Sequence, residues 1–186
     1  ESYEAAILLA VCYRKIGQIE KATELNERIG NIDDTGLSEE ILRNANTVRF
    51  ESTEFTAHRE QKVIDEERSC IAISCQEGEE NCIYGPYDGF PHGSFIARYK
   101  LRISDVSSDS RIKLDVAARL GDKVITETFL EPEETEGFIS VELPFCIDTP
   151  AEILEFRIAL IGKGEILLDY VEIFPDITTS INQLKT

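Results

Sequence analysis

Apolar residues follow a helical period in the first part of the chain. They recur three and four positions apart before Gly17 and again after it, which is typical of two amphipathic helices joined at a glycine. The two stripes are Ala6, Leu9, Ala10, Tyr13 and Ile16, and then Ile19, Ala22, Leu25 and Ile29. A short connection between such helices predicts an antiparallel helical hairpin. The chain begins within the first stripe, so we expect it to be a piece of a longer protein.

A third helix is predicted after the hairpin. Ser38 is a suitable N-cap, and Glu39 and Glu40 would face the positive end of the helix dipole. The helical period continues through Ile41, Leu42, Ala45 and Val48. We expect this helix to end near residue 50, with residues 51–68 forming its end and a connector.

The period changes from 3.6 to 2 at residue 69, which predicts strands from there on. Runs at 69–75, 94–103, 111–120, 124–130, 138–145, 152–161 and 165–174 are separated by turn residues. Strands at this spacing without intervening helices predict an antiparallel β-sandwich, or jelly roll. The predicted fold class is therefore segregated α+β. It comprises a helical region and connector at 1–60, a sandwich at 69–176 and a tail at 177–186.

Two resemblances refine this division. Ala10, Tyr13, Gly17 and Ala22 fall where a tetratricopeptide repeat places its small, aromatic, turn and alanine residues, so the hairpin resembles one such repeat. A single repeat cannot bury its own apolar face, which implies a protein partner or another domain of the parent chain.

The second half resembles a galactose-binding-like, carbohydrate-binding-module-like sandwich. The similarity lies in the run from Tyr84 to Tyr99 and in the closing strand 164–173, where Asp169 is followed by alternating apolar residues. The resemblance implies a β-sandwich fold and an accessory role beside a catalytic domain, such as a glycosyltransferase. The chain has no tryptophan, which is the usual sugar-stacking residue of such modules.

The composition excludes some partners. A formal charge of −17 disfavours nucleic acid and anionic membranes, and no apolar run is long enough to span a bilayer. Five cysteines cannot all pair within one monomer. No histidine or fourth cysteine joins Cys70, Cys75 and Cys82 at zinc-ligand spacing, so small buried residues in strands are favoured over a metal cluster. With no recognisable signal peptide, this predicts a reducing, cytoplasmic location.

A loop rich in glycine and proline carries the first candidate site. Its aromatic and polar residues are Tyr84, Tyr87, Asp88, Phe90 and His92. A sugar presents an apolar face and hydroxyl edges, so an aromatic plane with nearby donors and acceptors suits it. The alternative is that Tyr84 and Tyr87 close the end of the sandwich core.

Basic residues concentrate in two strand regions and form a second candidate. They are Arg98, Lys100, Arg102, Arg111, Lys113, Arg119 and Lys123. If these strands were neighbours, Arg98 and Arg119 would contribute to a positive strip for an anionic saccharide. The alternative is cross-strand pairing with Asp115, Glu127 and other carboxylates.

Asp169 is a candidate metal ligand, because an acid among apolar neighbours needs a partner. That partner is either a structural calcium ion or hydrogen-bond donors of a neighbouring loop. The two histidines, His58 and His92, belong to no recognisable catalytic motif, so no enzyme is predicted.

Two functional hypotheses follow. The first is a non-catalytic, carbohydrate-binding accessory region of a larger glycan-handling protein. The alternative is a protein-interaction or oligomerisation module, in which the hairpin binds and the sandwich is a spacer.

Overall fold

The computed structural model describes residues 47–57, 61–65, 68–148 and 152–176, together with helical Glu20, Lys21 and Glu24. The chain divides into two compact units, Glu1–Thr47 and Val48–Thr186. Apart from these three residues, the predicted hairpin lies outside the described residues, as do most of the third helix and the tail at 177–186. Among the residues that are described, no helix has the length and apolarity to cross a membrane.

The second unit is built from antiparallel strands. Their bounds are β1 Val48–Glu51, β2 Thr56–Ala57, β3 Gln61–Asp65, β4 Arg68–Cys75, β5 Glu80–Tyr84, β6 Pro86–Phe90, β7 Gly93–Ser104, β8 Arg111–Ala118, β9 Lys123–Leu130, β10 Ile139–Ile147, β11 Glu152–Ile161 and β12 Gly164–Pro175. A single 3₁₀ turn, Ser52–Glu54, follows β1.

These strands form two six-stranded sheets. Sheet A has the order β10-β7-β12-β4-β3, and β1 pairs with the second half of β12. Sheet B has the order β2-β5-β11-β8-β9, and β6 pairs with the first half of β11. The predicted antiparallel sandwich is therefore confirmed for the described residues.

Alternation along the strands produces the core. In β7, Ala97, Tyr99, Leu101 and Ile103 are buried, while the residues between them are half-buried on the outer face of sheet A. In β8, Ile112, Leu114 and Val116 meet them from sheet B. One face of each sheet thus supplies the apolar interior, as expected for two packed sheets.

The segregated α+β prediction is wrong for the described part of the chain, which is an all-β sandwich. Val48, assigned to the third helix, begins strand β1, and Phe50 of β1 pairs with Val171 of β12. Phe50 is 5% exposed and stacks on Phe156, with ring centroids 6.1 Å apart. A four-residue strand is too short for a period of 2 to stand out, and Val48 also fitted the helical spacing.

The connector predicted at 51–68 is also largely structured. It contains β2 and β3, and Phe55 and Ala57 are buried in the main core. The sandwich therefore begins at Val48, well before the predicted boundary at residue 69.

Candidate functional site

Two tyrosines meet on sheet B where β5 ends and β6 begins. Tyr84 is half-buried at the end of β5, and Tyr87 of β6 is 43% exposed. Their rings pack edge to face, with centroids 6.5 Å apart. Tyr87 has φ 68°, a left-handed conformation that is uncommon for a bulky residue. Such strain persists only where the surroundings enforce it, and it is concentrated at functional positions.

Glu155 of β11 holds the hydroxyl end of Tyr87. Pro86 pairs with Glu155, and the register of β6 against β11 shifts between Leu154 and Glu155. Desolvation first, and then the charge of Glu155 and its hydrogen bond with the phenol, raise the pKa of Tyr87. The carboxylate of Glu155, on a neighbouring strand, therefore lies close to the phenol of Tyr87.

One oxygen of Glu155 has an unused capacity to accept a hydrogen bond. Oε1 is buried and has no hydrogen-bond partner in the described residues. The Nη1 atom of Arg157 is 4.0 Å away, which is an ion-pair distance but too long for a hydrogen bond. A buried carboxylate oxygen without a donor is costly, so a bound water that donates to Oε1 would be favourable.

Gly121 packs closely against this oxygen. It lies in the turn between β8 and β9 with φ 88°. A Cβ at this position would be 3.0 Å from Glu155 Oε1 and 2.7 Å from Arg157 Nη1. A side chain at this position would therefore overlap Arg157 Nη1 and press against Glu155 Oε1. We call the group Tyr84, Tyr87, Gly121, Glu155 and Arg157 the Tyr87 site.

Asp115 of β8 anchors the base of the Tyr87 site. Its two oxygens accept from Arg157 Nε at 2.5 Å and Nη2 at 3.0 Å, and Lys113 Nζ lies 3.0 Å from Oδ2. The hydrogen bond that Arg157 donates to Asp115 raises the pKa of Arg157, and the nearby carboxylate charges act in the same direction. The bidentate geometry fixes the guanidinium plane.

The other loop residues predicted to bind a ligand take different positions. Asp88 is exposed, and its Oδ1 accepts from the Gly89 backbone N–H at 2.8 Å. His92 is exposed in the bend between β6 and β7. Phe90 does not belong to a surface site, because it is 5% exposed and packs in the core. Its ring makes edge contacts with Phe50, Phe95 and Phe156.

The predicted positive strip is not formed. Arg98 lies in β7 of sheet A, whereas Arg119 follows β8 of sheet B, so the two regions belong to different sheets. Arg98 Nη2 is 2.7 Å from Glu142 Oε1, and its Nη1 donates to Glu172 at 3.3 Å. The alternative of cross-strand pairing with carboxylates is the one observed for Arg98. The reason is that the chain passes from sheet A to sheet B between β7 and β8.

Asp169 also has a basic partner. It lies where the β12–β7 register shifts, is buried, and accepts from Arg68 Nη1 at 3.0 Å. Within the described ranges, no three or more His, Cys, Asp or Glu side chains are grouped to hold a metal ion. Calcium binding through Asp169 stays a prediction.

The residues missed by sequence reasoning are Asp115, Gly121, Glu155 and Arg157. A signal for two of them was present, because Glu155 and Arg157 share one face of a strand that is otherwise apolar after its first residue, Glu152. Charged groups at alternate positions in such a strand indicate a polar network on one sheet face. Their proximity to Tyr87 depends on the β6–β11 pairing, which the sequence pattern does not reveal.

Comparison with known proteins finds similarity in fold alone. No protein-family model and no curated protein matches this chain. Among solved structures, it is similar to the C-terminal CBM6 of LamC, a marine laminarinase from Zobellia galactanivorans. The TM-score is 0.51 and the identity 16%, over 69% of this chain and 99% of that one.

A family 35 carbohydrate-binding module from Clostridium thermocellum is similar to the same extent. The TM-score is 0.50 and the identity 10%, over 69% of this chain and 98% of that module. The β-sandwich of this chain therefore has the fold seen in carbohydrate-binding modules.

Proposed function

We propose that this chain is a non-catalytic carbohydrate-binding region that holds a saccharide at the Tyr87 site. The observation that carries the proposal is Tyr87, an exposed aromatic ring held in a strained backbone conformation and tied to Glu155. A stacking platform gains from being held rigidly, because less conformational entropy is lost on binding.

The chemistry of the site suits a sugar. The apolar C–H face of a pyranose packs on an aromatic plane, and its hydroxyls need fixed acceptors. Tyr87 offers the plane, and the exposed carboxylate of Asp88, the next residue of β6, offers an acceptor. These features support reversible binding and suggest no covalent chemistry.

The similar modules favour an accessory role. One of them is the C-terminal module of a laminarinase, which is a glycan-handling enzyme. By analogy, this chain would position a saccharide for a catalytic domain elsewhere in a larger protein, with a glycosyltransferase as one such domain. Fold likeness does not determine function, so the proposal depends on the Tyr87 site itself.

A glycan array with matched variants tests the proposal. The wild-type chain is expected to bind at least one saccharide, and Tyr87→Ala should weaken that binding at least tenfold. Phe129→Ala is the control, because it removes a 60% exposed ring from β9 of the same sheet, outside the Tyr87 site. Parallel arrays run with calcium and with EDTA test separately the prediction that Asp169 binds calcium. A folded protein that binds nothing, or equal losses in both variants, would contradict the proposal.

A further inference from the structure

We infer that Leu120 and Ile153 extend the Tyr87 site into an apolar track across three strands, and that this track binds a saccharide chain of at least two units. The inference rests on the proposed function and names its ligand class, which is an oligosaccharide and not a single sugar. The apolar track is defined by Tyr87, Ile153 and Leu120, which are 43%, 55% and 80% exposed.

The strand register places the two ends of the apolar track at the same level of sheet B. Strand β11 lies between β6 and β8, and its Leu154 pairs with Asp88 on one side and with Ala118 on the other. Tyr87 is next to Asp88, and the turn at 119–122 begins directly after Ala118. Since neighbouring strands are about 4.8 Å apart, the two ends are separated by about 10 Å. That separation is wider than one pyranose ring.

Ile153 occupies the middle of the apolar track. Its neighbour Leu154 is buried in the core, so alternation along β11 turns Ile153 to the outer face. It pairs with Gly89 of β6, where a Cβ would meet nothing within 4 Å. The surface beside Ile153 is therefore open to a ligand.

The turn that carries Leu120 departs from the usual turn chemistry. The Asp122 N–H donates to the Arg119 carbonyl at 3.4 Å, and between them Leu120 and Gly121 have φ 58° and 88°. Positive φ at both central residues is typical of a type I′ turn, whose first central position favours asparagine, aspartate or glycine. Leucine at this position has an unfavourable backbone and gains no burial. Such a departure without a structural gain is expected at functional positions.

A saccharide chain is the occupant that fits the apolar track. Successive pyranose rings present C–H faces to apolar side chains, while their hydroxyls meet solvent or acceptors such as Asp88. With one ring on Tyr87, a chain running from β6 towards β8 places the next ring over Ile153 and Leu120. Three side chains are too few for a stable protein interface, which buries on the order of 800 Å² per partner.

A chain-length series tests this ligand class. Gluco-, manno- and galacto-oligosaccharides of one to four units are titrated into the full chain by calorimetry. In the series that binds, the trisaccharide should bind at least about tenfold more tightly than the monosaccharide, because its further units gain apolar contact. Equal affinities for one and three units would overturn the inference while leaving the proposed function intact. No binding of any member would overturn the proposed function and this inference with it.

Leu120→Asn separates binding from folding. Asparagine suits the first central position of a type I′ turn, so the variant should unfold at the same temperature as wild type or at a higher one. Trisaccharide binding should nevertheless weaken about fivefold, the effect of losing roughly 40 Å² of apolar contact. An unchanged trisaccharide affinity would overturn the role given to Leu120. Sedimentation of both proteins should give the same coefficient, and a dimer lost in the variant would assign the apolar track to a second copy and overturn the inference.

Two matched substitutions in β11 locate the ligand along the strand. Ile153 and Ile161 are both exposed on the outer face, at opposite ends of β11 and roughly 27 Å apart. Ile153→Thr keeps a β-branched side chain and should weaken trisaccharide binding about threefold. Ile161→Thr should leave the affinity unchanged. Equal effects of the two substitutions would overturn the inference.

Discussion

Tyr87 combines properties that are rarely found in one surface residue. Its ring is exposed, its backbone is left-handed, and its hydroxyl is engaged by a carboxylate from a neighbouring strand. An exposed tyrosine without a role would ordinarily keep an unstrained backbone and a free hydroxyl. The combination explains why this side chain, rather than its neighbour Phe90, is the candidate for ligand contact.

The link between Tyr87 and Glu155 has a measurable consequence for titration. Because burial and Glu155 raise the pKa of Tyr87, its phenol should ionise at higher pH than a free tyrosine, for which the pKa is about 10. The stabilising contribution is complete below that ordinary value and is lost as pH rises through the raised one. NMR titration of the Tyr87 ring should show the raised pKa, and Glu155→Gln should lower it. A pKa unaffected by this substitution would mean that the two side chains do not interact.

The site does not accommodate a larger side chain at Gly121 without strain. Gly121→Ala places a methyl group against Glu155 Oε1 and Arg157 Nη1, at a φ that L-residues seldom adopt. We expect a loss of stability of about 1–2 kcal/mol and at least tenfold weaker saccharide binding. Urea unfolding and calorimetry measure the two effects. Gly89→Ala serves as the control, since a Cβ at Gly89 would meet nothing within 4 Å.

At the scale of elements, the sandwich was predictable where strands are long. β7 and β8 each alternate apolar and polar residues over many positions, and this pattern gave their location and buried faces, except that the run predicted to reach residue 120 ends at Ala118 and Leu120 is 80% exposed. β1, β2 and β6 are short and were not predicted, because a few residues of alternation cannot be distinguished from a helical stripe or a turn. Their identity depends on pairing with β12, β5 and β11, which is a tertiary property.

The candidate site illustrates the same limit. Composition and turn chemistry predicted Tyr84, Tyr87 and Asp88 as neighbours, since they are close in sequence. Glu155 joins them only because β6 pairs with β11, and Arg119 is separated from Arg98 only because β7 and β8 lie in different sheets. Contacts between distant segments therefore account both for the site residues that the sequence pattern missed and for the incorrect prediction of a positive strip.

The assignment of β1 to the sandwich can be tested directly. Phe50→Ala should destabilise the sandwich by about 3–5 kcal/mol, because Phe50 is buried between Phe90 and Phe156. Exposed Glu51 in the same strand is the control, and Glu51→Ala should change stability by less than about 1 kcal/mol. Chemical denaturation gives both values. A near-neutral Phe50→Ala would place this segment outside the core.

At the scale of the whole molecule, the net charge of the chain determines whether a charged ligand is attracted or repelled at long range. A net charge of −17 would repel an anionic glycan at long range, and salt would relieve that repulsion. For an uncharged saccharide there is no such effect, and its dissociation constant would change less than twofold between 50 and 500 mM NaCl. Calorimetry at several salt concentrations tests this. Binding that strengthens steeply with salt would indicate a negatively charged ligand.

The central claim is that a saccharide binds at the Tyr87 site, and NMR mapping of the full chain with a bound oligosaccharide tests it most directly. The account predicts shifts concentrated at Tyr84, Tyr87, Gly121 and Glu155, with none at Arg98 or Tyr170 of sheet A. Shifts centred on sheet A would contradict the site. An absence of shifts at saturating concentrations of every saccharide on the array would contradict the function.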